Sequence, residues 1–83
     1  MINESLLKKL EGEGQFNVCI KDCNGNSLKE YNLSSFNECL NAVNYYIDEH
    51  IERPPYETVI KRVDIQVECH LNESARIVSI EEY

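Results

Sequence analysis

Ser35-Phe36-Asn37-Glu38-Cys39-Leu40-Asn41-Ala42-Val43-Asn44-Tyr45-Tyr46-Ile47-Asp48-Glu49-His50-Ile51-Glu52-Arg53-Pro54-Pro55 opens on a helix start and closes on a helix stop. Ser35-x-x-Glu38 is a capping box, in which the serine hydroxyl and the glutamate carboxylate each satisfy a backbone N–H that the first helical turn leaves without a partner. Arg53-Pro54-Pro55 ends the helix, because proline lacks the donor and pushes its predecessor out of the helical region. At about 100° per residue, Phe36, Leu40, Val43 and Ile47 fall within about 40° of one direction, flanked by Cys39, Tyr46, His50 and Ile51. That stripe is a core face. The opposite side carries Asn37, Glu38, Asn41, Asn44, Tyr45, Asp48, Glu49 and Glu52, and no Lys or Arg stands between Ser34 and Glu52.

On the amino-terminal side, Asn3 to Glu11 has the pattern of a short amphipathic helix. Asn3 is its N-cap, Leu6, Leu7 and Leu10 share a face, and Gly12 sits at the left-handed stop. From Gln15 the period becomes two, with Phe16, Val18 and Ile20 alternating against Asn17, Cys19 and Lys21. A type I′ turn at Asn24-Gly25 then pairs Ile20 with Lys29, Val18 with Tyr31 and Phe16 with Leu33, in a hairpin ending near Leu33.

On the carboxy-terminal side, Val59, Val63, Ile65, Val67 and Cys69 alternate with Thr58, Ile60, Arg62, Asp64, Gln66, Glu68 and His70. This predicts one strand of about ten residues, with Lys61 as the departure on its apolar side. Asn72-Glu73-Ser74 is a turn, Ala75 to Ile80 a second strand, and Glu81-Glu82-Tyr83 an acidic end. The predicted order is α-β-β-α-β-β. It implies an α+β domain over residues 1–83, with a four-stranded antiparallel sheet carrying the long amphipathic helix and the short N-terminal helix on one face.

The chain has 83 residues, enough for one small core and too few for a second domain. Eight basic against fifteen acidic side chains give a formal charge of −7, which argues against direct binding of nucleic acid or of an anionic membrane. Charges interrupt the first eleven residues too often for a signal segment or a membrane span, so the expected location is cytoplasmic, with reduced thiols.

Catalytic and metal motifs are weak. Cys19, Cys23, Cys39 and Cys69, with His50 and His70, contain zinc ligand types, but Cys19-x3-Cys23 is not the tight Cys-x2-Cys knuckle and Cys39 belongs to the helix core face. Cys69 and His70 are adjacent in a strand and point to opposite faces. Cys39 and His50 stand about 16 Å apart along a helix. Gly12-x-Gly14 follows a helix, where a phosphate loop would join a strand to a helix. No cofactor, metal or catalytic residue is expected.

What remains is the acidic helix face, with Glu38, Asn41, Tyr45, Asp48, Glu49 and Glu52 as candidate contact residues. Charged outer faces are ordinary on solvated helices. This one lacks interleaved bases that would relieve its self-repulsion, and it exposes a tyrosine, a common interface anchor. The expected function is therefore a non-enzymatic binding protein that docks on a basic protein surface, such as the channel of a nucleic-acid-handling complex. In size and charge the chain is similar to small acidic phage proteins that act as nucleic-acid mimics in the host cytoplasm, anti-CRISPR inhibitors among them. No residue motif ties it to any one such family. The competing expectation is assembly, as a homodimer or with a partner, through an edge strand such as Ala75 to Ile80 or Asn26 to Leu33.

Overall fold

The computed structural model describes residues 3–50 and 57–83, and the chain runs α1 (Glu4–Lys8), β1 (Glu13–Lys21), β2 (Ser27–Ser35), α2 (Phe36–His50), β3 (Glu57–Arg62), β4 (Val67–Leu71) and β5 (Ile77–Glu82). The strands form one antiparallel sheet in the order β2-β1-β3-β4-β5. The α+β class and the antiparallel sheet agree with the sequence pattern. The strand count does not: among the described residues there are five strands, in the order α-β-β-α-β-β-β.

The fifth strand comes from folding the expected Thr58–His70 strand in two. The 63–66 segment is a loop in which Ile65 N–H and Gln66 N–H both turn back to Arg62 C=O, at 3.4 and 2.8 Å. Gln66 adopts φ 63°, a left-handed conformation that interrupts any strand. The turn also changes which parity faces the core. On β3 the inward residues are Thr58, Ile60 and Arg62, which oppose Leu71, Cys69 and Val67 of β4. Val59 lies on the other face of the sheet, between Cys19 and His70, and Val63 and Ile65 are exposed in the loop. A straight strand over the thirteen residues from Thr58 to His70 would extend about 40 Å, more than the longest dimension of the molecule, 34 Å. Folding it back brings Ile60, Val67 and Cys69 into one core.

The first hairpin keeps the expected register, Phe16 to Leu33, Val18 to Tyr31 and Ile20 to Lys29. Its turn differs from type I′. Gly25 has φ 84° and Asn24 is not left-handed, and a bulge between Ile20 and Lys21 takes up the extra residue. The last strand begins at Ile77 and runs through Glu81 and Glu82, while Ala75 belongs to the turn.

The N-terminal α-helix is shorter than its leucine pattern. Asn3 caps it, accepting from Ser5 N–H and Leu6 N–H. Beyond Lys8 the chain tightens into i→i+3 bonds from Lys9, Leu10 and Glu11, and Gly12 leaves with φ 80° as expected. Leu10 is fully buried, and Leu6 and Leu7 pack on the same core.

That core joins Phe16, Val18 and Ile20 of β1, Ile60 of β3, Val67, Cys69 and Leu71 of β4 and Ile80 of β5 to Cys39, Val43 and Ile47 of α2. Phe16 and Phe36 meet with ring centroids 6.4 Å apart. Each fully buried aliphatic side chain contributes about 1.5–3 kcal/mol, which holds α2 against β1 and β2.

One charged residue lies among them. Arg62, 7% exposed, donates to the carbonyls of Lys9, Glu11 and Glu13 at 2.7–2.8 Å and to Asp64 at 3.1 Å, over the face of Phe16. It therefore caps the end of the N-terminal turns and fixes the entry into β1. Gly14 makes room for it, since a Cβ there would stand 2.6 Å from Arg62 Nε.

Candidate functional site

The helix wheel places α2 as expected. Cys39, Val43 and Ile47 are buried, and Asn37, Glu38, Asn41, Asn44, Tyr45, Asp48 and Glu49 are exposed. Asn41, Tyr45, Asp48 and Glu49 stand at i, i+4, i+7 and i+8, so neighbouring turns bring them onto one outer surface. Tyr45 is 66% exposed, the most exposed of the large hydrophobic side chains on the described surface.

Glu38 has a different job. Ser35 Oγ accepts from Glu38 N–H at 3.2 Å, and the Glu38 carboxylate reaches back to Ser34, whose hydroxyl and N–H donate at 2.9 and 3.2 Å. The capping box is thus displaced by one residue at its return arm, where the chain passes straight from β2 into the helix. The Ser34 hydroxyl and then its N–H hold the Glu38 carboxyl below the ordinary glutamate range. This residue starts the helix and stands at the rim of the acidic surface. Glu52 and Ile51, the Arg53-Pro54-Pro55 stop and the side chain of His50 lie outside the described residues.

The cysteines do not gather. Cys39 and Cys69 are in the core, Cys19 is half-buried on the opposite sheet face 3.6 Å from Ser27 Oγ, and Cys23 is exposed in the first hairpin turn. Burial, aided by the Glu38 charge, pushes the Cys39 thiol up to about 11, and burial alone pushes Cys69 up to about 12. Both remain neutral thiols at neutral pH, unsuited to attack or to metal ligation as thiolates.

Sequence reasoning missed the open face of the sheet. Asn17, Cys19, Lys21, Glu30, Val59, Lys61, Glu68 and His70 line a groove of about 480 Å³ there. Glu68 and His70 alternate onto one face of β4, and Glu81 of β5 is directly opposite Glu68. One ligand atom from each of the three lies within 4.8 Å of the others. The Glu-x-His spacing is visible in the chain, but Glu81 joins it only through the β4–β5 register. A second open groove, about 490 Å³, runs between Leu7, Leu10 and Gly12 on one side and Ser35, Phe36 and Asn37 on the other.

Among the described residues, no helix is long and apolar enough to cross a membrane. No protein-family model, curated protein or solved structure matches this chain.

Proposed function

We propose that the protein is a non-enzymatic binding module whose α2 outer face docks on a basic protein surface, of the kind that otherwise holds a nucleic acid, and so inhibits the complex it occupies. The observation that carries this reading is the exposure of Tyr45 at the centre of a surface of acids and amides, on a helix with no Lys or Arg over residues 36–50. Acids and amides around an exposed aromatic suit a contact surface, where complementary charge raises the association rate and selects the partner.

The test is a pull-down from bacterial lysate with the tagged chain, followed by affinity measurement on the purified partner. The expected partner is a nucleic-acid-handling complex that nucleic acid displaces and moderate salt releases, because exposed charges are screened over about 8–10 Å at physiological salt. Reversing Asp48 and Glu49 to Lys should abolish binding while the circular dichroism spectrum stays unchanged. Unaltered affinity in that variant would sink the proposal.

Assembly through a strand is the second reading, favoured by the sheet order, which puts β2 and β5 at the two edges, and by Val78, 58% exposed on β5. It predicts a dimer mass by sedimentation that is insensitive to salt.

A further inference from the structure

We propose that Glu68, His70 and Glu81 form a binding site for a divalent transition-metal ion of the zinc class on the open face of the sheet. Strand periodicity gives Glu68 and His70 one face, and the antiparallel register sets Glu81 opposite Glu68. Zinc bonds to nitrogen and carboxylate oxygen at about 2.0–2.2 Å, so donors sharing an ion lie no more than about 4 Å apart. The three donor atoms here already lie within 4.8 Å of one another. Rotation about the glutamate side chains is sufficient to close the remainder.

Charge supplies an independent argument. Like charges directly opposite one another destabilise a strand pair, and among the described residues no Lys or Arg forms an ion pair with Glu68 or Glu81. Lys61 is the cross-strand neighbour of Glu68 on its other side, yet its ammonium sits over the Tyr83 ring, 5.3 Å from the centroid. Two opposed carboxylates are thus left to a single contact with His70 Nε2, 3.1 Å from Glu68 Oε1. A dication neutralises both carboxylates and takes the imidazole nitrogen as its third ligand. One nitrogen with two oxygens selects zinc-class ions over calcium and magnesium, which prefer oxygen alone. The solvent side leaves a fourth position for water or for a donor from a partner.

Titration calorimetry of the full chain with zinc chloride, alongside NMR of the His70 ring, tests the site. The expected result is one ion per chain, a shift of the His70 ring signals, and much weaker binding of magnesium. Glu81→Gln, an exposed change that spares the fold, should lower the affinity at least about tenfold, since even a group that only supports a metal ligand costs roughly 10- to 100-fold. The double variant Cys19→Ser, Cys23→Ser should bind as the parent does. No saturation at millimolar zinc overturns the proposal. So does zinc binding that survives Glu81→Gln but disappears in the cysteine variant, and magnesium binding equal to that of zinc overturns the assignment of metal class.

Discussion

The loop joining β1 to β2 and the loop joining β4 to β5 share one hydrogen-bond scheme, and the loop between β3 and β4 departs from it. In the first, the Asp22 carboxylate accepts from Asn24 N–H and Asn26 N–H, Gly25 N–H returns to Asp22 C=O, and Gly25 is left-handed. In the last, the Asn72 amide oxygen accepts from Ser74 N–H and Arg76 N–H, Ala75 N–H returns to Asn72 C=O, and Ala75 is left-handed. Each is followed by a strand irregularity one residue further in. These two loops are held by their own five residues. The 63–66 loop adds to its local bonds with Arg62 C=O three contacts from elsewhere in the chain: Val63 N–H donates to Gln15 C=O, Asp64 accepts from Gln15 N–H as well as from Arg62, and Tyr83 N–H donates to Gln66 C=O. Turns with their own side-chain oxygen form locally, whereas this one depends on β1 and the chain end already being in place.

The sharpest break of that contrast is Arg62→Met, which removes the donor to three carbonyls and leaves Asp64 without its cation. Urea unfolding should show a loss of about 3 kcal/mol, in the range for breaking a buried charged network. Gly14→Ala should displace the same guanidinium and cost about 2 kcal/mol. In the Arg62→Met background it should cost far less, and full additivity of the two changes would refute the clamp.

Ala75 and Gly25 occupy the same left-handed position, so exchanging them tests the likeness of the two outer loops. Ala75→Gly is expected to stabilise by about 1 kcal/mol and Gly25→Ala to destabilise by about as much, read as opposite shifts in thermal midpoint. Equal responses of the same sign would show that the loops are not equivalent.

Acid separates the loops by their titrating groups. Asn26, through its backbone N–H and then its side chain, holds the Asp22 carboxyl below its ordinary 3.8, and Arg62 does the same for Asp64. A depressed folded pKa contributes stability above the ordinary value and loses it as pH falls through the folded value. Amide protection, relative to the intrinsic exchange rate at each pH, should therefore fall in the first and central loops below about pH 4, while Ser74 and Arg76 amides, held by the non-titrating Asn72, stay protected. Asp22→Asn should remove the acid sensitivity of the first loop. The smallest effect belongs to Tyr45→Ala, within about 0.5 kcal/mol in folding stability, with a loss confined to partner binding.

Legibility followed the same division. The first hairpin register was readable because alternating Phe16, Val18 and Ile20 meet a turn residue at Gly25, and the helix because Ser35 and Glu38 precede an apolar stripe. The central turn was not. Val63, Asp64, Ile65 and Gln66 include neither glycine nor proline, and two of them are strong strand formers, so the period of two runs straight through the bend. The exposed set Asn41, Tyr45, Asp48 and Glu49 was legible from the 3.6-residue period alone. The second role of Glu38, bound to Ser34, was hidden because the turn from β2 into α2 is a three-dimensional arrangement.

The sequence by itself determined the class, the long helix with its buried and acidic faces, the first hairpin and its register, and the lack of basic charge on α2. These follow from spacings of two to four residues, which short-range sterics and hydrogen bonding translate directly into structure. Tertiary structure decided the fifth strand, the inward face of β3, the Arg62 clamp beneath Gly14, and the meeting of Glu81 with Glu68 and His70. Each of these depends on which strand lies beside which, and that is set by how the apolar side chains of the whole chain share one core.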